Sequence, residues 1–270
     1  ARTHTHRKFG TAVIIFPDGF KIDVASARME YYQFPASLPV VEMSSIKMDM
    51  FRRDFTINTL AIQLNPGKFG RLVDFFSAQK DIKDKVLRVL HNLSFVEDPT
   101  RVFRALRFEQ RFGFTIGKLT SSLITNAVKM DFFKRLSGKR IYAELKLILK
   151  EENPTPIILR LLDYDLLRTI HPKIKIESDL EALLDAAKKV TDWHDLLFID
   201  ETYERWSVYF MTMIRHCGLE ATHEIGRHLA IAPRFVTMFA ESRIRAERRL
   251  LPLEQRDHME NAEIVNLLNG

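Results

Sequence analysis

Glu97-Asp98-Pro99-Thr100-Arg101-Val102-Phe103-Arg104-Ala105-Leu106-Arg107-Phe108 is where the chain leaves one kind of pattern and enters another. Asp98-Pro99 is a helix-start signal. The aspartate can accept from the free amides of a first turn, and a proline at the first helical position sacrifices no hydrogen bond. The helix is expected to run to about Arg111, before Gly113. Asp98, Arg101 and Arg104 are spaced by three and line one side of it. Asp98 and Arg101 then set an acceptor beside a fork of donors. Cytosine and adenine each offer an exocyclic amine next to an unprotonated ring nitrogen, whereas uracil and guanine offer a carbonyl next to an N–H. Such a pair can serve the first two bases and clash with the others. From spacing alone the plainer account is a capping aspartate followed by surface arginines.

Upstream the pattern is β-rich. Thr11 to Phe16 is a short apolar run, Pro17-Asp18-Gly19 is a turn, and Phe20 to Ala25 is a second strand, together a hairpin. Ile22 and Val24 share one face of the second strand, and Lys21, Asp23 and Ala25 the other. Thr56 to Leu64 reads as a third strand, closed by Asn65-Pro66-Gly67, and Arg71 to Phe75 as a short fourth. From Lys80 onward the pattern is helical, with Ile82, Val86, Val89 and Leu90 at helical spacing. A helix from about Gly138 carries Ile141, Leu145, Ile148 and Leu149 on one face. Asn153-Pro154-Thr155-Pro156 breaks the chain, and helices fill the rest, including Leu161 to Leu167. Arg243 to Arg249 is basic, equally a solvated helix face or an RNA contact.

Composition sets bounds on this reading. Of 270 residues, 46% are hydrophobic, enough for a core, so global disorder is excluded. Lys and Arg outnumber Asp and Glu by 41 to 35, a net charge of +6 that permits a polyanionic partner without requiring one. The single cysteine, Cys217, rules out an intrachain disulfide and suits a reducing cytoplasm. No apolar run approaches the ~20 residues that span a bilayer. The chain opens on Ala1, which reads as an excised or processed segment.

A second cluster, Arg52-Arg53-Asp54-Phe55-Thr56-Ile57-Asn58, turns these patterns into a resemblance. It is similar to the R-R-D-F-T-x-N signature of the bacterial (class II) CCA-adding enzyme and poly(A) polymerase family. Glu97 to Arg101 resembles that family's E-D-x-x-R nucleotide-template motif. The approach Lys8-Phe9-Gly10-Thr11-Ala12, the hairpin with Asp23, and Arg140 to Leu149 fall in the family's order, so the resemblance covers about residues 4 to 172. It implies an α+β fold: a partial nucleotidyltransferase palm over 1–80, a helical neck with the template motif over 81–153, and a helical, tRNA-binding body and tail over 154–270. It also implies transfer of AMP or CMP from ATP or CTP to a tRNA 3′ end, in CCA-end synthesis or repair. Poly(A) synthesis is the alternative within the family, and a non-catalytic nucleotide- or RNA-binding module the alternative outside it. The Glu-Asp-Pro-Thr-Arg form and Gln79-Lys80-Asp81 upstream most resemble A-adding members.

Position by position, the resemblance makes Asp98 and Arg101 the base readers, with Arg104 beside them. It makes Arg53, Asp54 and Asn58 the holders of ribose and triphosphate. Arg140 and Glu144 match a later helix motif that supports the template helix, an i,i+4 ion pair in either account. Asp23 matches the third carboxylate of a two-magnesium site. The family's Gly-Gly segment and its Asp-x-Asp pair are not found. The only D-x-D, Asp163-Tyr164-Asp165, lies in a body helix and is rejected as the metal site. The expectation is therefore that this chain alone is inactive. A second departure is Asp74-Phe75-Phe76-Ser77-Ala78-Gln79, where the family often has proline and glycines.

Overall fold

The structure is a computed structural model that describes residues 1–6, 10–174, 178–197, 203–253, 259–260 and 262. Lys8 and Phe9 of the approach segment lie outside the described residues. Contacts divide the chain into two units, Ala1–Leu136 and Ser137–Gly270.

In the first unit, β1 (Arg2–His6), β2 (Thr11–Ile15) and β3 (Lys21–Ala25) form an antiparallel meander, with Val13 opposite Asp23 and Ile14 opposite Ile22. The expected hairpin is there. Asp18 Oδ1 accepts from the Phe20 amide at 3.0 Å, the Gly19 amide donates to the Phe16 carbonyl at 3.0 Å, and Gly19 takes φ +84°, a region that favours glycine. A second hairpin, β4 (Arg28–Tyr31) with β5 (Val40–Met43), joined by a segment with Pro35, Ser37 and Pro39, has no counterpart among the elements expected from the sequence; nor has β1. Helix α1 (Ile46–Phe51) follows, capped by Ser45, whose Oγ accepts from the Met48 amide.

The expected strand from Thr56 to Leu64 is shorter than the sequence suggests. Thr56–Asn58 is a single 3-10 turn, and only Leu60–Ile62 (β6) is extended, paired antiparallel with β7 (Leu72–Asp74). The cause is local. Asp54 Oδ1 accepts from the Phe55 amide at 2.9 Å and from Asn58 Nδ2 at 2.8 Å, which curls the backbone before the strand can begin. Asp74 replaces the missing proline and glycines. Its carboxylate accepts from the amides of Phe76, Ala78 and Gln79 and so caps α2 (Ala78–Lys83), while Ser77 adopts φ +61°.

The helical spacing of Val86, Val89 and Leu90 is misleading. Lys85 takes φ +53° and ends α2, and β8 (Val86–Leu87) pairs in parallel with β9 (Thr115–Ile116). Between these strands lie α3 (Ser94–Glu97) and α4 (Thr100–Phe112), the latter closed by Gly113 at φ +62° as expected. Asp98 is extended and Pro99 already helical, one residue earlier than the assigned helix start. With α5 (Lys118–Lys129), they enclose a core in which Phe55, Phe95, Phe103, Leu106 and Phe133 are fully buried. Phe103 meets Phe133 edge-on at 5.8 Å, and Phe55 meets Phe108 at the same separation.

The second unit is helical: α6 (Gly138–Leu149), α7 (Thr155–Asp163), α8 (Leu167–Ile170), α9 (Leu180–Leu196), α10 (Arg205–Met213), α11 (Leu219–His228) and α12 (Pro233–Leu253). Ile141, Leu145, Ile148 and Leu149 are buried, as their spacing requires. Trp206, fully buried on α10, lies within 5.0–6.2 Å of the rings of Tyr142, Phe210, Phe235 and Phe239. The segment Leu161 to Leu167 is not one helix. The Leu166 amide bonds the Leu161 carbonyl and the Asp165 amide the Leu162 carbonyl, both at 2.8 Å, with Asp165 at φ +55°; this pairing terminates a helix. Among the described residues, no helix is long and apolar enough to cross a membrane.

Candidate nucleotide-selecting site

Arg52 to Asn58 and Asp98 to Arg104 are far apart in sequence, yet the first unit brings them together. Asp54, buried, accepts from Arg104 at Oδ2 through Nε at 2.7 Å and Nη2 at 2.5 Å. With Phe55 and Asn58 on Oδ1, that carboxylate receives four donors, the capacity of its lone pairs. Arg101, one turn earlier on α4, is also buried. Its Nη2 donates to the Arg52 carbonyl at 2.8 Å and its Nη1 to Ser94 Oγ at 2.8 Å. Charge-assisted bonds of this kind are the strong ones, so α4 is fixed to the Arg52–Asn58 segment at two successive turns. Asp98 Oδ1 accepts from the Thr100 amide at 2.9 Å and the Thr100 hydroxyl at 2.5 Å. The capping role and the base-reading candidacy thus fall on the same aspartate.

Around this pair is a shell of charge. Arg52 donates to Asp49 Oδ1 through Nε and Nη2, at 3.1 and 2.9 Å, and to Glu30 Oε1 at 2.9 Å, while Arg28 reaches Glu30 at 3.1 Å. Arg53 donates to the Asn58 carbonyl at 2.9 Å and to Asp49 Oδ2 at 3.3 Å. Burial pushes the Asp49 carboxyl up, but the bonds and charge of Arg52, the Arg28 amide and Arg53 outweigh it and hold it below its ordinary value. Tyr32 is half-buried, and burial pushes its phenol up to about 12; Arg101 acts the other way, and Glu30, Asp98 and Glu97 add to the rise. Burial, then the charge of Arg101, hold His91 below its ordinary value, while burial raises Glu97 against the pull of Arg101. A proton at either group therefore senses Arg101.

The other predicted residues are carried by other elements. Asp23 is exposed on β3, opposite Val13. Arg140 and Glu144 stand one turn apart on α6, in the second unit. Asp163 pairs with Arg160 at 2.7 Å and Asp165 with Arg168 at 3.5 Å, on either side of the helix break. Among the described residues no group of three His, Cys, Asp or Glu side chains could hold a metal ion. Asp23 by itself does not fit a pair of magnesium ions, each of which needs fixed oxygen ligands. Sequence reasoning missed Glu30, Tyr32, Asp49 and Ser94. Asp49 stands three and four residues before Arg52 and Arg53, a helical ion-pair spacing that was the available signal, whereas Glu30, Tyr32 and Ser94 sit in no periodic pattern with the motifs.

The family described as "Poly A polymerase head domain" matches residues 1–88, and that described as "Probable RNA and SrmB- binding site of polymerase A" matches residues 113–177. A relative named A-adding tRNA nucleotidyltransferase, from Geobacter sulfurreducens, is 51% identical over 91% of the chain. The chain spans only 28% of that relative's length. Among solved structures, a CCA-adding enzyme in its apo form II is 35% identical with a TM-score of 0.86, over 100% of this chain and 62% of that one. A tRNA-processing enzyme (apo form 2) is 31% identical with a TM-score of 0.84, over 99% and 72% respectively.

Proposed function

We propose that this chain, which belongs to the family of poly(A) polymerases and tRNA nucleotidyltransferases, supplies the nucleotide-selecting part of an enzyme that adds AMP, without a nucleic-acid template, to the 3′ end of tRNA. The observation that carries this reading is the joining of the two motifs at Asp54–Arg104 and Arg52–Arg101, which gives a polar fork a fixed position at the end of α4. In this reading Arg101 donates to the unprotonated ring nitrogen of adenine and Asp98 accepts from its amine. Guanine and uracil would set a donor against Arg101 and an acceptor against Asp98. Arg53, Asn58 and Arg104 hold the ribose and triphosphate, with Asp54 at the centre of their network. Arg140 and Glu144 carry the later helix motif on α6, in the second unit.

The choice of AMP rests on the A-adding name of the Geobacter sulfurreducens relative; addition of CMP or of longer A tracts uses the same recognition chemistry. The tRNA acceptor arm is the partner and ATP the substrate, with CTP its competitor, in the reducing cytoplasm that a lone buried Cys217 suits. Magnesium would neutralise the triphosphate and activate the attacking hydroxyl. Asp23 is the residue here that would contribute to holding it. The test is incorporation in the full-length protein. Asp98→Ala and Arg101→Ala should each relax selection of ATP over GTP and UTP by roughly 1–3 kcal/mol, the cost of leaving a desolvated partner unmatched. Unchanged incorporation ratios in both variants would refute the assignment.

A further inference from the structure

Arg101 can read a ring nitrogen only if its guanidinium is held in one plane, and the freedom of its three-methylene stem has to be removed by the protein. Two bonds from its two terminal nitrogens do this: Nη2 to the Arg52 carbonyl and Nη1 to Ser94 Oγ, both at 2.8 Å. Fixing both tips of the fork fixes its plane and leaves its remaining N–H groups directed elsewhere. Ser94 is fully buried and opens α3, the short turn that leads into Asp98. Its carbonyl accepts from the Asp98 amide at 3.2 Å. One residue therefore touches both members of the pair, Arg101 by its side chain and Asp98 by its backbone. The other anchor is indirect: the Arg52 carbonyl is kept in place because the Arg52 guanidinium is clamped between Asp49 and Glu30.

We infer that Ser94 is a positioning residue for base selection, setting the orientation of Arg101 relative to Asp98 from within the core. The inference rests on the reading of Asp98 and Arg101 as base readers. A serine that served packing alone would, when truncated, slow incorporation of every nucleotide alike. A serine that orients Arg101 changes which nucleotide is accepted. The hydroxyl, not its bulk, is the group that matters, because the bond to Arg101 ends on Oγ.

The experiment is single-nucleotide incorporation by the full-length protein on a tRNA acceptor, with ATP and GTP measured separately, for Ser94→Ala, Ser94→Thr, Arg101→Ala and Ser94→Ala/Arg101→Ala. Ser94→Ala is expected to lower the ATP-over-GTP ratio of kcat/KM about tenfold, the size of one lost bond to a charged group. Ser94→Thr, which keeps the oxygen, should restore most of the ratio. The double variant should match Arg101→Ala. An equal loss for both nucleotides in Ser94→Ala, or a double variant whose ratio falls clearly below that of Arg101→Ala, overturns the role given to Ser94 and leaves base reading intact. A ratio unchanged in Arg101→Ala overturns base reading itself, and the role of Ser94 with it.

Discussion

The two units bury different things. In Ala1–Leu136 the buried side chains include Asp49, Asp54, Asp81, Arg101, Arg107 and Glu109. In Ser137–Gly270 the buried polar side chains among the described residues are Thr155, His171, Thr191, Ser207 and Thr222, and the centre is the ring cluster about Trp206. Taking a charge out of water costs several kcal/mol unless its partners are well placed, and an ion pair in a core is often no better than an apolar pair of the same volume. Charges buried in numbers therefore mark the unit whose interior is organised to place functional groups. In the second unit the pairs of Arg205 with Asp192 at 2.6 Å and with Asp195 at 3.0 Å join a partly buried arginine to exposed carboxylates, where water screens them and they contribute little. Its cohesion comes from apolar and aromatic burial.

The largest expected effect tests the second unit. Trp206 is fully buried, with Lys146 Nζ over its ring at 4.6 Å and its Nε1 donating to Glu204 at 2.7 Å. Trp206→Ala should cost about 3–5 kcal/mol, read as a lower midpoint in denaturant titration. A loss below about 1 kcal/mol would show that the ring cluster is not the unit's core.

The same titration of Asp54→Ala tests the first unit. Removing one partner of a buried pair strands the other, at about 3–5 kcal/mol when both are enclosed. The Arg104 side chain is 31% exposed against 8% for Asp54, so water recovers part of the loss and about 2–3 kcal/mol is expected. A stability equal to that of the parent would mean the Asp54–Arg104 link does not organise this unit.

A smaller effect concerns the partner. On α12, Arg234, Arg245 and Arg248 are exposed and not grouped to read base edges, so tRNA binding through them should be a phosphate interaction. Affinity in filter binding should fall about tenfold or more between 50 and 200 mM salt and vary little with tRNA identity. A salt-insensitive, sequence-selective interaction would remove the contrast between a unit that selects and a unit that holds.

The smallest effect is a pH dependence. Asp49 is held below its ordinary value in the folded chain. Its contribution to stability is present above the unfolded carboxylate value of about 3.9 and is lost as pH falls through the lower folded value. Asp49→Asn should therefore flatten the acid side of the stability profile below about pH 4 and leave its shape at neutral pH unchanged. An identical acid limb in both proteins would show that Arg52 and Arg53 give Asp49 no advantage.

What was legible in the sequence follows from what is local. The Pro17-Asp18-Gly19 hairpin, the helix from Asp98 to Gly113 and the buried face of Ile141, Leu145, Ile148 and Leu149 depend on neighbours within a few residues, and each forms as its signal indicates. Val86, Val89 and Leu90 mislead because a left-handed Lys85 and a parallel partner at Thr115–Ile116 override their helical spacing. The strand read from Thr56 shortens because Asp54 spends its carboxylate on the following turn. By itself the sequence determined the family resemblance, the α+β class, and the identity of the two motifs, since residue type and spacing along one helix or turn are chain-local quantities. Only the tertiary structure decided that Asp54 meets Arg104, that Arg101 is fastened to Ser94 and the Arg52 carbonyl, and that Glu30 braces Arg52. Those bonds join segments whose separation along the chain carries no periodic signal, and a buried charge finds its partners only once the core that excludes water has closed around it.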